Sequence, residues 1–253
     1  MSFSSRDIFS IGLESRDQLN AELGGGFPPG SIVLLEGDYG AGKSALSQRF
    51  SYGFVQDGNT VTLVSTELDI SGFLDQMNSL DYDVVSEILN EELLYLHADI
   101  DGGSVLQDNG TEGDRKELLN RLMDADVMWQ PDVIIIDTFD SILRNDPKFE
   151  SLVRDDEGRQ AALEIISYLR DVIAKGKLVI LTVDPSTVDD EVIGPFRSIA
   201  DIYLKIEMNE VGGEVRRSIS VQRFTGMGEQ VGDSIGFSVR AGTGIVIESR
   251  SVA

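Results

Sequence analysis

Three glycines, a lysine and a serine are the first residues in this chain whose spacing suits chemistry. Gly37-Asp38-Tyr39-Gly40-Ala41-Gly42-Lys43-Ser44 reads as Gly, four residues, then Gly-Lys-Ser. Glycines let a backbone wrap closely, so that successive N–H groups point inward as donors to phosphate oxygens. A helix that starts at such a loop adds the positive end of its dipole. In that arrangement Lys43 reaches the β and γ phosphates of a nucleotide, and the Ser44 hydroxyl ligates Mg²⁺. Ala45, next in the chain, belongs to the same binding segment. A chance glycine turn would lack the apolar run before the loop and the amphipathic pattern after it. The ligands expected are ATP and Mg²⁺.

Other polar residues fall where such a site needs them. Asp137 closes the apolar run Val133-Ile-Ile-Ile, so it either holds the Mg²⁺ shell through water or caps the following turn. Asp140 and Glu164 lie near it in sequence but end no strand. Glu67 follows a second apolar run in Ser65-Thr66-Glu67. It is either a general base that polarises water against the γ phosphate or an exposed acid at a strand end. Asp69 is a weaker candidate for that work. Arg223, at the end of a late strand, is either a finger delivered to a neighbouring subunit's nucleotide or a solvated side chain. His97 and Trp129 have no motif around them and are assigned to packing.

The elements that must position these groups can be read from periodicity. Ser15 to Glu22 suggests a short helix, and Gly24-Gly25-Gly26 with Pro28-Pro29-Gly30 a turn region. Ser31–Glu36, Thr60–Ser65, Leu93–His97, Val133–Asp137 and Leu178–Val183 read as strands without alternation. Between them lie helical patterns: Leu46, Phe50 and Phe54; Phe73, Met77 and Leu80; Val84, Val85, Ile88 and Leu89. A helix is expected from about 114 to 126, and a longer one from about 159 to 174 with Leu163, Ile166, Leu169 and Ile173 inward. Residues 98–113, rich in Asp and Gly, read as a surface loop. Unalternating strands separated by helices imply a parallel sheet covered on both faces. After Asp201 the texture changes to strands joined by glycine-rich turns, as antiparallel hairpins extending that sheet. The fold class is therefore α/β, a mostly parallel central sheet with C-terminal antiparallel strands. Residues 1–253 are read as one domain.

Composition narrows the partners. With 44 acidic against 21 basic residues, only six of them Lys, the net charge is −23. Such a surface repels nucleic-acid phosphates and anionic headgroups. The acids are dispersed, which resembles proteins of salt-in halophilic archaea, where molar salt shortens the Debye length to about 3 Å. No cysteine and a single histidine exclude disulfides and multi-histidine metal sites. No window suits a membrane span, and Met1–Ser10 lacks the apolar core of a secretion signal, so a cytoplasmic protein is expected.

Longer stretches carry a family resemblance. Leu23-Gly-Gly-Gly-Phe-Pro-Pro-Gly-Ser31 leading into the loop is similar to the RecA-like P-loop ATPases of the KaiC group. Ile11-Gly-Leu-Glu-Ser-Arg-Asp-Gln-Leu19, Gln48-Arg-Phe-Ser-Tyr-Gly53, Ser65-Thr-Glu-Leu68, Leu94-Tyr-Leu-His-Ala-Asp99 and Leu181-Thr-Val-Asp-Pro185 resemble one family in that group. It is the family of archaellum accessory ATP-binding proteins, above all its haloarchaeal members. The resemblance spans nearly the whole chain. It implies a cytoplasmic subunit at the base of the archaeal rotary filament, a homo-oligomeric ring, hexameric by analogy, beneath the motor and secretion ATPase. Cytosolic accessory archaellum proteins would be further partners, and the membrane would be met only through the motor complex. In this family ATP binding is thought to regulate assembly, with weak or absent hydrolysis; autokinase activity is a further reading by analogy with KaiC. Lys43 and Ser44 match the phosphate and Mg²⁺ positions, and Asp137 the Walker B acid. Glu67 matches the first of a paired acidic dipeptide whose second member is here Leu68. Arg223 falls at the Lys of a Lys-x-Arg pair contacting the neighbour's nucleotide, with Thr225 at the Arg.

Three functions follow from these readings. One is a nucleotide-switched component of a motor, and another an active ATPase or autokinase using Glu67. The third, a DNA-handling recombinase, is opposed by the lack of basic surface.

Overall fold

The computed structural model describes residues 8–98, 118–145, 155–211, 214–226 and 232–248. Strands β1 (Ser31–Gly37), β2 (Val61–Ser65), β3 (Leu93–His97), β4 (Val133–Ile136) and β5 (Leu178–Val183) run parallel. β6 (Ile202–Val211) joins β1 in parallel and then pairs antiparallel with β7 (Glu214–Phe224). β8 (Ser234–Arg240) and β9 (Gly244–Glu248) continue the antiparallel half. The order is β3-β2-β4-β5-β1-β6-β7-β8-β9, so β1 and its loop sit at the centre of the sheet. The helices are α1 (Leu19–Glu22), α2 (Lys43–Gln56), α3 (Ile70–Ser79), α4 (Val85–Leu89), α5 (Leu118–Met123), α6 (Phe139–Asn145), α7 (Asp155–Ile173) and α8 (Asp190–Ile199). A mostly parallel α/β sheet with a C-terminal antiparallel extension is thus the observed fold.

Burial explains the strand texture. Every residue of β1, β2, β4 and β5 is buried, because helices cover both faces there. Val33, Leu35, Leu63, Ile135 and Ile180 pack against α2 and α3. Ile32, Leu34, Ile134, Val179 and Leu181 pack against α6, α7 and α8. In the antiparallel half only one face is covered: Ile206, Ile219, Ile235, Phe237 and Ile245 join the α2 side, while Ser218, Ser220 and Ser234 on the alternate face are partly open.

A strap of chain before β1 lies across α2. Arg49, fully buried in α2, donates Nε to Asp17 Oδ2 at 2.7 Å and Nη2 to Asp17 Oδ1 at 2.9 Å. Two further donors reach the carbonyls of Ile11 (2.7 Å) and Gly12 (2.9 Å), so four of its five N–H groups are paired. A bidentate pair with two further hydrogen bonds offsets the cost of burying the charges. Gly53 permits the approach, since a Cβ there would collide with the Ile11 carbonyl and Arg49 Nη1. Phe27 closes the strap, edge-on to Phe50 at 5.5 Å and stacked on Phe224 at 6.0 Å.

Several expectations need correction. The first helix shortens to Leu19–Glu22. Leu163 is 55% exposed, because the buried stripe of α7 runs through Ala162, Ile165, Ile166, Leu169 and Val172. α6 and α8 were not foreseen from the pattern. The Asp/Gly-rich loop and the start of the helix expected from 114 lie outside the described residues.

Candidate functional site

β1 ends at Gly37 and α2 begins at Lys43, so the glycine loop joins a central strand to a helix N-terminus. Gly42 has φ 103°, and a Cβ there would meet the Phe237 ring at 3.4 Å. The antiparallel half therefore packs behind the loop, and the left-handed φ of Gly42 is one that glycine adopts without strain. Asp38, Tyr39 and Gly40 form the exposed apex, with Tyr39 86% accessible. Ala41 and Ala45 are buried beneath it. Lys43 is buried, with Nζ donating to Gly37 O at 2.7 Å and Asp38 O at 3.1 Å. Asp184 Oδ2 faces the same ammonium at 3.9 Å.

Asp137, directly after β4, is brought against α2. Its Oδ1 accepts from Ser47 Oγ (3.2 Å) and Thr182 Oγ1 (2.8 Å). Burial pushes its carboxyl above the usual range, while the hydroxyls of Thr182, Ser44 and Ser47 and then the Lys43 charge pull it down. Ser44, Lys43 and Asp137 thus converge. Glu67 stands at the rim, its side chain open to solvent. Its carboxyl is raised first by desolvation, then by Asp137 and Asp140, with Lys43 opposing. Glu67 therefore shares one electrostatic field with the loop lysine and the strand-end acid.

The remaining candidates go elsewhere. Asp69 caps α3, accepting from Gly72 N at 2.7 Å, which removes it as a competitor of Glu67. Arg223 lies where β7 pairs with the start of β6, away from Gly37. Its Nη1 donates to the carbonyls of Ala200 (2.7 Å), Arg197 (3.1 Å) and Ser198 (3.4 Å), closing the C-terminal end of α8. His97 is exposed, and Trp129 is packed with Nε1 donating to Leu122 O at 2.8 Å.

Sequence reasoning missed Thr182, Asp184 and Arg217, and set Asp140 aside because it ends no strand. Thr182 is a lone hydroxyl in the apolar run of β5, and that contrast was the available signal. Asp184 follows β5 as Asp137 follows β4, so the same strand-end logic would have found it. Asp140 is buried and accepts from Asp184 N (3.1 Å) and Thr187 Oγ1 (2.8 Å), making it a floor for the site. Arg217 reaches Gly40 O with Nη2 at 3.3 Å, a contact that depends on strand register and has no local signal. Among the described residues no cluster of three or more His, Asp or Glu side chains could hold a metal alone. One carboxylate beside a hydroxyl instead suits Mg²⁺ that arrives with phosphate oxygens.

A family model described as "ATPase: KaiC" matches residues 11–251. The archaeal flagellar ATP-binding protein FlaH of Methanocaldococcus jannaschii is 31% identical over 94% of this chain and 95% of its own length. The chain belongs to the FlaH family of KaiC-type ATPases. A crystal structure of the flagellar accessory protein FlaH from the same organism superposes with a TM-score of 0.79 at 28% identity, covering 96% of this chain and all of that one. A KaiC-like protein of Pyrococcus horikoshii, 20% identical over 96% of this chain and 99% of its own, shares the fold with a TM-score of 0.69. The FlaH fold is thus the RecA-like arrangement expected from the loop and strands.

Proposed function

We propose that this chain binds ATP with Mg²⁺ at Gly37–Ala45 and works as a nucleotide-switched accessory subunit of the archaellum motor. The observation that carries the reading is the convergence of Lys43, Ser44 and Asp137 on one glycine loop. Lys43 neutralises the β and γ phosphates. Ser44 and Asp137 would hold Mg²⁺, whose contribution is to neutralise phosphate charge. Relatives named archaeal flagellar ATP-binding proteins support both the ligand and the setting. A homo-oligomeric ring, hexameric by analogy, would then present nucleotide-dependent surfaces to the motor ATPase and to cytosolic accessory proteins. Among the described residues no helix is long and apolar enough to cross a membrane.

A second reading, ATPase or autokinase, is favoured by Glu67, an acid at the rim of the loop whose carboxyl is raised by desolvation and then by Asp137, against the pull of Lys43. Leu68 in place of a second acid argues for slow turnover.

Lys43→Ala tests the site. Expected are loss of ATP binding by calorimetry and an intact circular dichroism spectrum; wild-type affinity in that variant would overturn the assignment. Phosphate release near 1 s⁻¹, a slow but ordinary enzymatic rate, that vanished in Glu67→Gln would replace the switch with the enzyme.

A further inference from the structure

Three buried threonines surround Asp137: Thr66 after β2, Thr138 after β4, and Thr182 within β5. Two short hydrogen-bond runs link them to Asp137, one ending on its carboxylate and one on its carbonyl. Thr182 Oγ1 donates to Asp137 Oδ1 at 2.8 Å and accepts the Thr138 N–H at 2.8 Å. Thr138 Oγ1 donates to the Asp137 carbonyl at 2.6 Å. That bond uses the only hydroxyl proton of Thr138, so in its contact with Thr66 Oγ1 the donor is Thr66. Thr66 is the residue before Glu67.

The backbone of Thr138 is also unusual. Its φ is 59°, and of the four described non-glycine residues with positive φ it alone is β-branched. Such a residue is held in the left-handed region only when its surroundings over-determine it. The contacts with Asp137, Thr182 and Thr66 supply that constraint. The segment carrying Glu67 has further anchors: Glu67 N donates to Ser65 Oγ (3.3 Å), Tyr95 OH to Leu68 O (2.6 Å) and Ala98 N to Ser65 O (2.9 Å). The Asp137 N–H donates to Val64 O at 2.8 Å and so ties the end of β2 to the same acid, and the Thr66–Thr138 bond extends that tie to the residue before Glu67.

We propose that Thr138 is a positioning residue that holds Glu67 at a fixed place relative to Asp137, so that the site discriminates nucleoside triphosphate from diphosphate through the Glu67 charge. The inference rests on the nucleotide-site reading above. A γ phosphate adds negative charge where Lys43, Asp137 and Glu67 share a field. With the Thr66–Glu67 backbone tethered, the triphosphate meets a like charge held at the rim; with the tether cut, that backbone can carry the charge away from the loop and the penalty falls.

The test is a cycle of Mg·ATP and Mg·ADP affinities, by calorimetry at fixed salt, for wild type, Glu67→Gln, Thr138→Val and the double variant. Glu67→Gln and Thr138→Val are each expected to raise the ATP:ADP affinity ratio roughly tenfold, the size of a one-unit electrostatic shift. The double variant should do no more than either. Thr138→Ser keeps the hydroxyl and should restore the wild-type ratio. If Thr138→Val does not fold, Thr66→Val cuts the same bond from the other side, at a residue without the positive φ. A purely structural role would lower the melting temperature and leave the ratio unchanged, which would overturn the inference. So would additive effects, or a Thr138→Ser protein that behaves like Thr138→Val. Wild-type protein that binds neither nucleotide would instead overturn the nucleotide site itself.

Discussion

The parallel and antiparallel halves of the sheet do different work with the same kind of strand. In β1, β2, β4 and β5 both faces are buried, so a polar group there loses its water; Thr182 in β5 and Asp137 after β4 replace it with each other, while the Thr62 hydroxyl in β2 goes without a partner among the described residues. In β6 to β9 one face is covered, and polar residues fill the other. The parallel half concentrates chemistry at its strand ends. The antiparallel half braces the loop through Phe237 and Arg217 and leaves a serine-bearing face partly open.

Four substitutions would break or sharpen that contrast. Phe237→Ala should have the largest effect, because it removes both a core ring and the wall behind Gly42. A loss of about 3–5 kcal/mol is expected in urea unfolding, together with weaker ATP binding. Ile134→Ala, on the α7 side of β4, should cost about 2–5 kcal/mol through its cavity, with affinity largely kept. If both variants lost affinity equally, the bracing role of the antiparallel half would fall.

Glu67 gives a smaller, pH-dependent effect. Desolvation, with Asp137 behind it, raises its folded carboxyl above the ordinary Glu value, so the folded protein holds this proton more firmly than the unfolded chain does. That contribution is complete at pH below the unfolded value and is lost as pH rises through the raised one. Glu67→Gln should flatten the corresponding fall in melting temperature; because the group faces solvent, the change is small. If Glu67 is a base, phosphate release should rise with pH through the same window. The smallest effect is expected for Ser220→Ala, within about 0.5 kcal/mol of wild type, since its face of β7 has no covering layer.

Much of this division is legible in the sequence. β3 and β5 match their apolar runs residue for residue, and the change from continuous to alternating pattern after Asp201 marks the change from parallel to antiparallel pairing. α8 escaped because Gly194 and Pro195 break its pattern, although Ile193 and Phe196 still give it a buried face. α6 escaped because seven residues are too few to establish a helical period. The loop, Asp137 and Glu67 follow from local order: a motif, or an acid at a strand end. Arg217 and the hydroxyl contacts of Thr138 depend on which strands become neighbours, and Arg223 on where a helix stops. No local pattern encodes those facts.

The strap across α2 has a consequence for how the protein answers to salt. Arg16 and Asp81 meet at 2.9 Å, with side chains 26% and 69% accessible, so their attraction fades as ions crowd the surface. Arg49 and Asp17, at 0% and 2%, are sealed from those ions. Dilution from molar salt would let the −23 surface repel itself while the seating of the loop helix stayed as it was. Ionic strength therefore tunes the shell of this molecule and spares the joint on which its nucleotide loop rests.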